Sequence, residues 1–407
     1  MRPAQAMSER ERGRPLEVLV PADIRFPLER ANGVQIVKTA AALSGAGART
    51  TLLVRQSDPR PTSDILALFG VDPHPCLRVR RLGVLHRRGT FVLPRASFLA
   101  RATLAVLPAL RRRAVVFTRD LQLADVLLRL PGRPRVVYEA HAVEALMYAE
   151  RGALYGTGER PNPRKRARLS AREGRVWRRA AAVVTTTAGI RDTFAETYGT
   201  RLGVRVVPNG CDPPEGRFRG LPEGEPEVLY AGQLYPWKGV DLLVAAMGSV
   251  PGVRLVILGG IEGEPDTARV RALVESSGLA ARTELPGLVP QARVADELRR
   301  AAVVAVPFLR AGMTERHTSP LKLFEAMAAG RPIVASDLPS SREVLRDGDN
   351  ALLVPPGDAL ALSAALRRVL SDRDLARRLA RSAWDEAPRY SWDARARALH
   401  ALFEEVR

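Results

Sequence analysis

The sequence predicts an α/β protein made of two consecutive domains, each a parallel sheet covered by helices. Three observations carry this. Short β-rich runs alternate with helix-length amphipathic stretches along the whole chain. The alternation pauses once, at the turn signal Pro208-Asn209-Gly210 and the Pro/Gly/Glu-rich residues 212–226, and then restarts. A length of 407 residues suits two or three domains of ordinary size.

In the first half, residues 16–21 read as a strand, 33–44 as a helix and 49–54 as the next strand. Strands follow at 114–118, 135–139 and 181–185, with helices at about 120–130, 166–179 and 187–197, and residues 204–207 close the half. After the linker, strands at 227–231, 253–258, 282–285, 302–306 and 332–335 interleave with helices at about 238–248, 265–278, 293–300 and 320–329. Residues 351–354 and helices from 358 onward finish the chain. The division is a loose tail at 1–15, one domain at 16–207, a second at 208–385, and a final helical segment at 386–407.

Composition narrows the function classes. Hydrophobic residues at 46% and charged residues at 26% are ordinary for folded chains and exclude wholesale disorder. Cys76 and Cys211 lie far apart and match no metal or redox spacing, which fits a reducing cytoplasm. Residues 1–15 mix Arg with Glu and lack the apolar core of a signal peptide. No run of 18 apolar residues suggests a membrane span. The formal charge of +19 attracts phosphates, nucleic acid and anionic lipid without choosing among them. A coding bias toward Arg competes as its cause, because Lys38, Lys165, Lys238 and Lys322 are the only lysines. Residues 90–113 combine Phe98, Leu99, Val106 and Leu110 with Arg95, Arg101 and Arg111 to Arg113. Two readings fit: a basic amphipathic segment on an anionic membrane, or a helix packed on its own sheet with Arg facing water.

The strongest motif runs from Thr318 to Ser336. Ser319 reads as an N-cap, Pro320 as the first helical residue and Gly330 as the stop, between two buried strands. A helix that starts at the C-terminal end of a parallel strand is where open α/β sheets bind ligands. The amides of Leu321 and Lys322 and the helix dipole suit a diphosphate, Lys322 adds a charge, and Glu325 one turn in suits ribose hydroxyls. A second motif, Tyr230 to Asp241, ends a strand at Ala231, continues through Gly232 and Gln233, and places Lys238 at the next helix start, where a lysine suits a phosphate.

Together these segments resemble the donor-binding half of the family 4 glycosyltransferases, retaining enzymes with two Rossmann-like domains facing across a cleft (the GT-B fold). The run Gly232 to Leu243, Leu258-Gly259-Gly260, Glu325 to Ser336 and Asn350 to Asp358 match in order. The resemblance implies that Lys238 binds the donor diphosphate and Glu325 the ribose, with Gly232, Gln233, Gly259, Ser319, Pro320, Leu321 and Lys322 around the donor. In the first half, Asn32-Gly33-Val34-Gln35 resembles the glycine loop that reaches the leaving phosphate. Tyr138-Glu139-Ala140-His141 resembles the loop with a sugar-contacting histidine, Val207 to Asp212 the junction, and residues 391–406 the helix that crosses back onto the first domain.

The resemblance implies a nucleotide-diphosphate sugar as donor, a glycan, lipid-linked or small-molecule acceptor, no cofactor, and a cytoplasmic enzyme that the segment 90–113 could bring to the inner face of the cell membrane. Two positions depart from the family. Gln233 stands where Arg is common, and His317 where a Glu precedes the second Glu by eight residues; His317, or Glu315 nearby, is expected against the donor sugar. Asp347-Gly348-Asp349 imitates a metal-binding Asp-x-Asp but sits before Asn350 between a helix and a strand, so a polar turn without metal is expected. The alternatives are a related epimerase, a non-catalytic sugar-nucleotide binder, and a nucleic-acid binder. The last lacks a recognised module and aromatics among its Arg clusters, so no nucleic acid is expected.

Overall fold

The computed structural model describes residues 15–28, 30–85, 93–132, 134–214, 216–312 and 314–407. Most of the expected tail, and part of the segment 90–113, lie outside them. The first unit runs β1 (Glu17–Phe26), α1 (Ala31–Gly45), β2 (Arg49–Gln56), α2 (Thr62–Ala67), β3 (Leu77–Leu82), α3 (Leu93–Leu110), β4 (Val115–Thr118), α4 (Leu121–Leu127), β5 (Arg135–Ala140), α5 (Glu144–Leu154), α6 (Pro163–Arg179), β6 (Ala182–Thr185), α7 (Ala188–Tyr198) and β7 (Val204–Val206). Its strands pair in parallel in the order β3-β2-β1-β4-β5-β6-β7.

The second unit runs β8 (Glu227–Ala231), α8 (Val240–Met247), β9 (Arg254–Leu258), α9 (Pro265–Ser276), β10 (Thr283–Gly287), α10 (Gln291–Arg300), β11 (Val303–Val306), α11 (Thr314–His317), α12 (Leu321–Ala328), β12 (Ile333–Ser336), α13 (Pro339–Arg342), β13 (Leu352–Val354), α14 (Ala359–Ser371), α15 (Arg373–Glu386) and α16 (Trp392–Val406). Its parallel sheet has the order β10-β9-β8-β11-β12-β13. In each sheet the chain order reverses beside the first strand, between β1 and β4 and between β8 and β11. These are the switch points at which open α/β sheets leave a crevice for ligands.

The short inner strands β4, β6, β11 and β12 are buried along their whole length. Helices cover both faces of such sheets, so their strands read as unbroken apolar runs, and the sequence reading finds them for that reason. It misses β3, Leu-Arg-Val-Arg-Arg-Leu, an edge strand whose arginines break the apolar signal while blunting the edge. It also misses α5, whose first amides, of Glu144 and Ala145, donate to the buried carboxylate of Glu173 from α6 at 2.7 and 3.2 Å.

The amphipathic segment settles on its own sheet. Phe98, Leu99, Ala102, Val106 and Ala109 of α3 join the core beneath Val116 and Leu123, and Arg95 is bound by Asp120. Among the described large apolar side chains of this segment, Leu104 and Leu107 stay exposed. At the other end of the chain, α16 leaves the second unit and packs on α1. Trp392, Ala396, Leu399, Leu402 and Phe403 complete the first unit's core, with the Phe403 ring 5.2 Å from that of Phe117.

Candidate functional site

The second unit's wall of the inter-domain crevice begins where β8 ends. The chain passes through Gly232 and Gln233 into a single 3-10 turn, Pro236–Lys238, and Gly239 caps α8 in the left-handed region at φ 71°. A Cβ on Gly239 would fall 1.8 Å from the carbonyl oxygen of Pro307, so only glycine lets this turn lie on the loop after β11. That approach sets Lys238 between two rings, with Nζ 4.0 Å from the Trp237 centroid and 4.1 Å from that of Phe308. Burial pulls its ammonium down to about 7, so the lysine stands ready to gain charge beside an anion.

Next to it starts α12. Ser319 is expected to cap this helix with Pro320 as its first residue; instead Pro320 is the cap and supplies no side-chain bond. The junction turn takes Ser319 away: its hydroxyl accepts the Asn209 amide at 3.2 Å and its carbonyl accepts Asn209 Nδ2 at 2.7 Å. The first amides of α12 are thus left without a side-chain cap, facing the crevice. One turn in, Glu325 is held from both sides, by Lys322 Nζ at 2.7 Å and Gln291 Nε2 at 2.8 Å.

The first unit supplies the opposite wall through the start of α1. Its Gly33 lies so close to the preceding loop that a Cβ would meet the Leu28 carbonyl oxygen at 1.7 Å. The helix also lacks a side-chain cap. Arg30, Ala31 and Val34 line the same crevice as Gly232, Gln233, Lys238, Gly259, Pro320, Leu321 and Lys322. Two helix N-termini from two domains therefore converge on one space, each without a side-chain cap on its amides and with partial positive charge.

Behind α1, a buried charge network surrounds the end of β5. Glu139 accepts Gln35 Nε2 at 3.2 and 3.1 Å and is bound by Arg395 from α16. Burial opposes its charge, but Arg395, His141 and Arg119 outweigh that and hold the carboxyl well below its usual range. Arg395 also donates to Thr39 and to the carbonyls of Val207 and Pro208, tying the inter-domain junction to this cluster. His141 Nε2 lies 3.5 Å from Glu139 Oε2; burial and the nearby Arg119 push its ring down to about 4, so it is neutral at pH 7. Beyond Arg119, at the C-terminal ends of β1 and β4, a cavity of about 440 Å³ is lined by Asp23, Arg95, Asp120, Glu144, Lys165 and Arg172.

Most of the residues singled out from the sequence gather here. Glu325 reaches the crevice through Lys322 and Gln291, both of which line it, and Gly33 lies in the first turn of α1. Ser319 belongs to the junction, and His141 stands at Glu139 behind the α1 wall. His317 is elsewhere. Its ring is buried, with Nε2 3.0 Å from Thr193 Oγ1 of α7, because Thr187 and Gly189 clamp the neighbouring Arg316 backbone against the first domain. Glu315 is bound by Arg310 at 3.0 Å. Asp347 accepts the Leu353 amide, and Asp349 accepts Arg346 and Ser382, an internally held turn. Sequence reasoning missed Arg30, Gln291, Arg119 and Arg395, which belong to no local motif, whereas Glu139 and Gln35 lie inside the runs Tyr138 to His141 and Asn32 to Gln35.

Comparison with known proteins agrees with this architecture. The family description "Glycosyl transferase 4-like domain" matches residues 32–210, and "Glycosyl transferases group 1" matches residues 214–385. The chain belongs to the family 4 glycosyltransferases. Among curated relatives of this chain, D-inositol 3-phosphate glycosyltransferase of Xylanimonas cellulosilytica is 32% identical over 65% of this chain and 66% of its own length. Phosphatidyl-myo-inositol mannosyltransferase of Mycolicibacterium smegmatis is 34% identical over 49% of this chain and 51% of its own. The chain thus spans 66% or less of the length of these relatives. Among solved structures, sucrose-phosphate synthase from Thermosynechococcus elongatus superposes with a TM-score of 0.73 at 23% identity, covering 97% of this chain and 99% of that one. Anabaena HepE in complex with UDP-glucose gives 0.70 at 15% identity, covering 96% and 100%. At such identities the likeness is one of fold, two parallel-sheet α/β domains of the GT-B type.

Proposed function

We propose that this chain transfers a sugar from a nucleoside diphosphate sugar to an acceptor hydroxyl, with retention of anomeric configuration and without a metal. The observation that carries the reading is the pair of uncapped helix starts and the ring-cradled Lys238 converging on one crevice. These groups oppose negative charge as it grows on the departing diphosphate, the charge that a divalent cation meets in other transferases. Glu325, fixed by Lys322 and Gln291, accepts the ribose hydroxyls. His141, neutral and held beside Glu139 at the end of β5, is the first domain's candidate contact for the sugar once donor is bound. No carboxylate is assigned as nucleophile; the acceptor oxygen attacks the sugar on the side of the leaving phosphate, which takes up the acceptor's proton.

The cavity at β1 and β4 is the acceptor site in this reading. Asp23 and Asp120 there are neutralised by Arg55 and Arg95, Arg172 leans on Asp125 at 3.5 Å, and burial opposes the charge of Glu144, so Lys165 and Arg119 are the cations that would meet an anionic group. A phosphate-bearing or lipid-linked acceptor fits that balance, in keeping with the phosphorylated inositols in the names of the two relatives. Arg164, Lys165, Arg166 and Arg168 are exposed at the start of α6 beside the cavity and give an anionic membrane its point of contact. Among the described residues no helix is long and apolar enough to cross a membrane. This basic face, not α3, is the surface that would meet the inner leaflet.

A panel of UDP-, GDP- and ADP-sugars, offered with inositol phosphate and phosphatidylinositol as acceptors, tests the reading through release of the nucleoside diphosphate. Acceptor-dependent release is expected. Binding without release from any pair would make the chain a sugar-nucleotide binder instead. Flotation with vesicles containing phosphatidylserine should carry the protein upward, and neutral vesicles should not; equal behaviour would remove the membrane contact.

A further inference from the structure

Among the described residues, the crevice holds one cation that the reading above leaves unused. Arg30 is the N-cap residue of α1, its carbonyl accepting the Val34 amide at 3.1 Å, and it lines the crevice with Gln233, Lys238 and Lys322. Its guanidinium spans the crevice mouth to Glu264, the residue before α9 in the other domain, with Nη2–Oε1 at 3.0 Å and both side chains partly exposed. An ion pair that exposed is weak and readily exchanged.

The competing cations are less available. Lys322 is already committed to Glu325, and Lys238 sits between rings with its charge opposed by burial. Gln233 brings no charge. A nucleoside diphosphate carries at least two negative charges, and a guanidinium presents a planar fork of donors that matches phosphate oxygens. Arg30 is the guanidinium positioned to do so, because its backbone opens the very helix whose first amides face the same space.

We propose that Arg30 is a diphosphate-binding residue carried by the N-terminal domain, which gives up Glu264 for the donor diphosphate. The proposal rests on the donor reading above. It makes the diphosphate a tie between the domains, held by Arg30 and the start of α1 on one side and by Lys238 and the start of α12 on the other. It also makes Glu264 a competitor of the donor, so the two members of the ion pair act on binding with opposite sign. A bridge that merely joined the domains would give both the same sign.

Calorimetric titration of the full chain with UDP, GDP and ADP, each set against its monophosphate, provides the test. Arg30→Gln should weaken binding of the preferred diphosphate about tenfold and shrink its advantage over the monophosphate by a similar factor. Glu264→Gln should tighten it about two- to fivefold, and that gain should vanish in the Arg30→Gln background, because the freed guanidinium is its source. The proposal is overturned if Arg30→Gln binds as the parent does, if Glu264→Gln weakens binding, or if its gain persists without Arg30. Lys238→Ala separates the two levels. Weakening by Lys238→Ala but not by Arg30→Gln defeats this inference alone, whereas a diphosphate indifferent to both defeats the donor reading as well.

Discussion

On the second domain's side of the crevice, the polar groups come from segments a few residues long, Gly232 to Gly239 and Ser319 to Glu325, and act through backbone amides and lysines. On the first domain's side, Glu139 is held by Gln35 from 104 positions away and by Arg395 from 256 positions away. One wall is a pair of local motifs; behind the other lies a charge network assembled across the chain, including the helix that returns from the far end. The difference separates function from stability. A helix start keeps its amides whatever lies around it, so the second wall can be altered without unfolding. A buried ion pair depends on every partner being present.

Glu139→Ala should cause the largest change. It leaves Arg395 and Arg119 buried without their counter-charge, at a cost of about 3–5 kcal/mol, read as a lower urea midpoint of the first domain; an unchanged midpoint would show that the two walls do not differ in this way. Lys238→Ala should sharpen the contrast from the other side. The barrier to transfer should rise by about 2.7–4 kcal/mol, seen as a fall of kcat/KM by about two to three orders of magnitude, with the urea midpoint close to the parent's. Glu325→Gln removes a charged acceptor, worth about 1.5–3 kcal/mol, and should raise donor KM by roughly 10- to 100-fold.

The pH dependence of donor binding should follow Lys238. Its ammonium titrates near 7 in the unliganded protein, so it is charged below that value and neutral above it. Donor KM should therefore stay level below pH 7 and climb above it, by at most about tenfold per unit. The diphosphate diester of a nucleotide sugar does not titrate in this range, so a profile that stays level through pH 9, or one that keeps its climb in Lys238→Ala, would assign the dependence to another group. The smallest effect belongs to Arg205→Gln. Its pair with Glu405 joins β7 to α16 at 2.9 Å but is half exposed, so stability should change by about 0–1 kcal/mol.

Legibility in the sequence follows the range of the interaction. Val-Val-Phe-Thr and Val-Val-Ala-Val are readable as strands because burial on both faces leaves no charged position in them. The α12 boundary slips by one residue because Asn209, from the distant junction, competes for Ser319. His317 occupies the expected place in a motif, yet its Nε2 is engaged by Thr193, a partner 124 positions away that no local pattern announces. Phe98, Leu99 and Val106 are equally suited to lipid and to a sheet, and only the presence of β4 and α4 beside them decides for the sheet.

The amino-acid order by itself determined two parallel-sheet units, the linker between them, and a glycine-flanked lysine and helix start suited to a diphosphate. Each of these needs partners only a few positions away, within reach of backbone geometry. Tertiary structure alone decided that Lys238 sits between Trp237 and Phe308, that Arg395 meets Glu139, and that Arg30 faces Glu264 across the crevice. Desolvation and ion pairing depend on what the rest of the chain packs against a group, and spacing along the sequence does not contain that information.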